Sequence, residues 1–184
     1  MTKCAWSTYA MVALAAALVP AAARAQETKA APPPAAEYRE KVIAAARQII
    51  GAQQFCAFIT LDEKGLPQVR TVNPFAPEED MTVWFATGVQ TRKVAEIKAN
   101  PHVALYYADH GNGTGYVQIS GTAVLVSDKA EIERHRRAYW AQSFPNDKNL
   151  IMVKVVPDRL DVINYKAGVT GDSVTWRSPS IPLR

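Results

Sequence analysis

The sequence predicts a small, mainly β domain with a few helices, closed into a barrel. Three observations carry that prediction. Short runs of β-branched and aromatic residues recur between turn signals. Few stretches carry helical periodicity. The 184 residues, 48% hydrophobic and 21% charged, suit one ordinary core. Closing the sheet would also protect its edges.

The chain opens with a leader pattern. Lys3 supplies a positive start, residues 10–19 form an apolar run too short to span a bilayer, and Pro20 breaks it. Ala23-Arg24-Ala25 is a small-x-small site before Gln26. Residues 1–25 therefore read as a secretory signal peptide, which makes the expected location periplasmic or secreted, with no membrane partner after cleavage. No Arg pair precedes the apolar run, which favours the route for unfolded chains, and Cys4 is followed by no lipobox. Residues 26–36, with Pro32-Pro33-Pro34, read as an Ala/Pro-rich tether, and 37–184 as the folded domain. Cleavage would leave Cys56 as the only cysteine, so no internal disulfide is expected. Its apolar setting marks it as a buried strand residue.

Tyr38, Val42, Ala45, Ala46 and Ile49 share one helical face, and Gly51 is expected just past that helix in the left-handed role. Strand signals at 55–61 and 68–72 flank a hairpin loop at 62–65, and Pro74 ends the second. Residues 82–87 alternate, Val83 and Phe85 against Thr82 and Trp84. Thr91 is expected to cap a helix from Arg92 to about Ala99, stopped by Asn100-Pro101. A strand at 103–107 and a glycine-rich turn at 109–115 precede a long strand at 116–126, bent at Gly121. Asp128 and Glu131 form a capping box for a second helix carrying Ile132, Tyr139 and Trp140. Strands at 150–156 and 160–165 are joined by a turn at Pro157-Asp158. The stretch from Lys166 reads as loop, with a short strand at 174–176.

Charge narrows the partners. Of 21 basic residues, Lys3 and Arg24 fall in the leader, leaving 19 against 17 acidic. So small a surplus predicts no nucleic-acid partner. His102, His110 and His135 show no ligand spacing with Cys or acids, so no metal is expected. His102 reads as structural and His135 as lying on a helix flank. Gly111, Gly113 and Gly115 are not a dinucleotide fingerprint, because no strand–glycine–helix unit surrounds them. No nucleophile–base–acid set can be assembled, and the catalytic residues are unknown.

Thr91-Arg92-Lys93 is the most informative motif. Two cations at a helix start oppose the helix dipole, a conflict that an anion would relieve. The free amides there suit a phosphate, Arg92 can grip two of its oxygens, and Lys93 adds a point charge. Taken alone, the motif reads first as a solvated pair on a surface helix. Arg70, on a strand between Val69 and Thr71, either faces water or points at the same anion.

Taken in order, these segments carry a resemblance. Residues 82–107, TVWFATGVQTRKVAEIKANPHVALYY, resemble the flavin-phosphate segment of the pyridoxamine 5′-phosphate oxidase-like family. Val69-Arg70-Thr71-Val72 resembles that family's strand with another FMN-contacting Arg, and residues 116–123 resemble its long strand with a Gly bend. The likeness covers residues 42–165 and is nearer to the general-stress branch. It implies an FMN-binding split β-barrel and a homodimer with FMN in a groove between subunits. It implies that Arg70, Thr87, Arg92 and Lys93 hold the phosphate and ribityl chain. Thr71 and Val72 would run beside the isoalloxazine, which Tyr116 or Gln118 would reach. It also implies an oxidoreductase acting on a small-molecule redox substrate. The vitamin-forming reaction itself is not expected. The strand at 160–165 lacks the oxidase's Trp, and Trp176-Arg177 stands at the wrong spacing to replace it. The competing reading is an exported split-barrel binding module, with no working flavin or with another anionic ligand.

Overall fold

The computed structural model describes residues 35–184; the expected signal peptide and nearly all of the tether lie outside them. Helix α1 (Ala35–Gly51) leads, starting two residues before the expected domain boundary. It is followed by β1 (Cys56–Leu61), β2 (Pro67–Val72), β3 (Val83–Gly88), α2 (Arg92–Ala99), β4 (His102–Ala108) and β5 (Gly115–Val126). Then come α3 (Lys129–Arg134), α4 (Trp140–Ser143), a 3-10 turn, β6 (Leu150–Asn164) and β7 (Ser180–Pro182). The strands form one antiparallel sheet in the order β2-β1-β4-β5-β6-β3, with β7 beside the far half of β6.

The sheet curls so that Phe58 of β1 meets Phe85 of β3 edge to face, 4.8 Å between ring centres. Its two ends, β2 and β3, are not hydrogen-bonded as strands. The segment after β2 lies along β3 instead: the Phe75 amide donates to the Trp84 carbonyl and the Glu78 amide to the Thr82 carbonyl. The barrel is therefore split there and patched by loop backbone. Inside it, Phe58, Leu105, Ile119 and Leu160 are fully buried in one cross-sheet row, as period-two alternation requires. The apolar face of α1 closes one end with Val42, Ala45, Ala46 and Ile49. Asn164 ties it down by donating to the Ala45 carbonyl.

Four expectations about element boundaries and caps are corrected. Gly51 is the last helical residue and is not left-handed, so it is no C′ cap. Residues 150–164 are one strand and not two: Gly121 faces Pro157 and Ser120 faces Arg159, so Asp158 is the extra residue of a bulge. A bulge tolerates a proline that has no N–H to give. The second helix breaks after Arg134 and resumes at Trp140. Residues 174–176 are not a strand; the strand in that region is β7, which feeds Ile181 into the core.

Trp84 is buried although it alternates against the core residues Val83 and Phe85. A second cluster, made of Trp84, Ile132, Trp140, Leu150 and Met152, covers the outer side of β3 and β6. His135 is buried in it, 4.7 Å from the Trp84 ring and 5.1 Å from Phe75, and not on a helix flank. Cys56 is buried as expected. Burial pushes its thiol up to about 12, opposed in part by Tyr107.

Candidate functional site: a cation cluster at the start of α2

The loop after β3 turns tightly into α2. Thr91 occupies the N-cap with extended backbone, but its side chain does not cap the helix. Its hydroxyl donates to the Gly88 carbonyl, 2.8 Å away, and lies 3.3 Å from the Thr87 hydroxyl. The first-turn amides are thus left without a side-chain acceptor, the arrangement that suits an anion.

Three cations and one carboxylate surround this point. Lys93 is half-buried and its ammonium donates to Thr87 Oγ1 at 2.9 Å. Burial lowers its pKa, the nearby Arg70 lowers it further, and Glu96 offsets part of that. Arg70 reaches from β2 under α2, where its guanidinium donates to Glu96 Oε2 and to Thr60 Oγ1, each at 2.5 Å. Arg92 lies on the surface with its Nε 2.9 Å from Glu96 Oε1. That second contact is an ion pair without a directed hydrogen bond, because Oε1 is buried and receives none. Burial alone would raise the Glu96 pKa. Thr60 and Arg70 outweigh it, so the carboxyl sits below its ordinary range and stays charged. A cleft of about 330 Å³ opens beside Arg92 and Glu96, lined also by Asp62, Lys64, Leu66 and Ala95.

The structure therefore brings together Arg70, Thr87, Arg92 and Lys93. It places the other candidates elsewhere. Val72 is buried on the same side of β2 as Arg70, whereas Thr71 points to the opposite, outer face. There Thr71, Ala57, Tyr106 and Gln118 share one row across four strands. Three strand spacings separate Thr71 from Gln118, about 14 Å. Gln118 donates to Ser120, and Tyr116 stacks near Tyr106 at 5.5 Å. Tyr116 and Gln118 belong to the sheet's outer face and not to the cation cluster.

Glu96 and Thr60 were not legible as site residues. The spacing of Glu96 four residues after Arg92 is a signal that would have found it; Thr60 offered none. Among the described residues, no three His, Cys, Asp or Glu are gathered to hold a metal.

The profile of the pyridoxamine 5′-phosphate oxidase family matches residues 42–166. The chain belongs to that family. General stress protein 26 of Bacillus subtilis is 27% identical over 110 residues, which are 55% of this chain and 74% of that protein. Among solved structures, a Clostridium acetobutylicum protein related to general stress protein 26 superposes with a TM-score of 0.64 at 16% identity, covering 78% of this chain and 95% of that one. General stress protein 26 of Bacillus anthracis gives 0.56 at 22%, covering 69% and 94%. A Mycobacterium smegmatis haem-binding protein also gives 0.56, at 12% identity, covering 76% of this chain and 57% of that one. These structural likenesses establish the split-barrel fold that this family member shares.

Proposed function

We propose that this protein is an FMN-binding oxidoreductase, acting on a small-molecule redox substrate as a homodimer outside the cytoplasm. The observation that carries the reading is the charge imbalance at α2. Arg70, Arg92 and Lys93 gather around one buried carboxylate, with Asp62 farther out near Arg92, beside first-turn amides with no side-chain cap. A dianionic phosphate balances both the surplus charge and the open amides. Arg70 and Thr87 would hold it from the strands, Arg92 and Lys93 from the helix. When bound, FMN supplies the hydride and electron chemistry, so the chain need only bind and orient it.

The outer sheet face supports a second copy of the chain. Val69 is 62% exposed there, in one row with Ile59 and Ala104, and Thr71, Tyr106 and Gln118 lie in an adjacent row. Pairing two such faces would bring the outer-face candidates of one protomer to the groove of the other. The extracytoplasmic location rests on the leader pattern of residues 1–25.

The test is the visible absorption spectrum of residues 26–184, purified from the periplasm, then incubated with FMN and desalted. Flavin bands are expected to remain with the protein, and light scattering at micromolar concentration should give a dimer. A colourless protein after both treatments overturns the flavin reading. The alternative is a binding module for another anion, motivated by the haem-binding structural relative. A Soret band gained with haem, and no flavin retained, would establish it.

A further inference from the structure

Glu96 holds its two arginines differently. Arg70 is fixed: it is 17% exposed, bonded to Oε2 at 2.5 Å and also to Thr60. Arg92 is held loosely: it is 68% exposed, and its contact with Oε1 is not a directed hydrogen bond. Direction matters too. A side chain that reaches from position i to i+4 runs toward the C-terminal end of its helix, away from the first-turn amides. Arg92 is therefore folded back from the place where an anion would sit, with a carboxylate occupying the guanidinium meanwhile. Only the Arg92 end of this pair is exposed; the carboxylate end is buried, and no directed hydrogen bond fixes the guanidinium to it.

We propose that Glu96 is a positioning residue that serves as an internal counter-ion, anchoring Arg70 while holding Arg92 away from the anion site until a phosphate group competes for it. The inference rests on the anion-binding reading of the α2 start. It assigns opposite effects to the two halves of one carboxylate. The Oε2 side pre-organises the site; the Oε1 side opposes binding and favours release. Replacing Glu96 by Gln keeps an acceptor for Arg70, frees Arg92 and removes a negative charge one turn from the phosphate.

The experiment is calorimetric titration of the wild type, Glu96→Gln, Arg92→Ala and the double variant, with inorganic phosphate and with FMN as separate probes. Glu96→Gln is expected to bind both about 5- to 20-fold tighter than wild type. Arg92→Ala should lose more affinity in the Gln background than in the wild type, because only there is Arg92 free of its competitor. A purely structural role for Glu96 predicts weaker binding, through a loosened Arg70. Equal or weaker binding by a folded Glu96→Gln protein overturns the proposal while leaving the anion site standing. Binding of neither probe by any protein removes the site and the proposal together. Should Glu96→Gln fail to fold, phosphate is titrated into the wild type while the Arg side-chain N–H signals are followed by NMR. Arg92 Nε is expected to shift strongly and Arg70 weakly. An unmoved Arg92 signal with phosphate bound overturns the proposal.

Discussion

Lys93→Met separates ligand binding from stability, because the two should move in opposite directions. Lys93 is a half-buried cation near a second cation, and its pKa is lowered by burial first and by Arg70 next. Its charged form is therefore disfavoured in the ligand-free fold. Methionine matches the stem in length and has no charge to desolvate, and Thr87 retains its contact with Thr91. Discounted for the screening of a half-exposed group, the ligand-free domain should gain about 0.5–1 kcal/mol. For a domain of this size, that raises Tm by roughly 1–4 °C. FMN affinity should fall by about 10–100-fold, or ~1.5–3 kcal/mol, through loss of a charge-assisted contact. The sign follows in pH as well. A lowered folded-state pKa means that the unfolded chain binds more protons in the window between that value and the ordinary lysine value. Wild-type stability should therefore rise with pH across that window, and the Lys93→Met protein should lack this component. Thermal unfolding by circular dichroism and FMN titration test both halves. A ligand-free Lys93→Met protein less stable than wild type would show that the cation is already satisfied, and the surplus-charge argument would fail.

Three further outcomes are expected. Glu96 has a folded-state pKa below its ordinary value, so its contribution to stability is present above the unfolded carboxylate value, near 4.3, and lost as pH falls through the folded one; urea unfolding against pH should show a shallower acid decline for Glu96→Gln than for wild type. Gly121→Ala should cost more than about 2 kcal/mol in chemical denaturation, because the new Cβ would stand 2.3 Å from the Val156 carbonyl oxygen at the bulge, where backbone must move; a loss under about 0.5 kcal/mol would contradict the bulge packing. Cys56, buried and with its thiol pushed up to about 12, should react with a disulfide reagent at pH 8 only as fast as the domain opens, so denaturant and not reagent concentration should set the rate.

What could be read in the sequence, and what could not, divides along local and tertiary causes. The α2 start was legible because helix caps, charge and the Asn100-Pro101 stop are all local signals, and Arg70 aligned with it through a motif. The face of Thr71 was equally legible, since alternation puts it opposite Arg70. The β6 strand was misread because Pro157-Asp158 is a good turn locally; only the partner strand, with Gly121 opposite, converts it to a bulge. The helix break after Arg134 has no breaker residue. It coincides with His135 burying itself against Trp84 and with Arg137 donating to the Asn73 and Pro74 carbonyls, contacts across more than 50 residues of chain. The burial of Trp84 was not legible because alternation cannot reveal that α3 and α4 cover the second side of β3.

The uninterrupted β6 also bears on how the molecule assembles. Among the described residues its first half is the only strand partner of β3, residues 159–161 pair with β7, and residues 152–164 pair with β5. β3 must therefore wait for a partner more than 60 residues further along the chain. Until residues 150–164 emerge from a ribosome or a translocation pore, β3 has no ladder and the barrel has no wall between β5 and β3. Closure is consequently a late, long-range event, and such contacts are the slow ones to form.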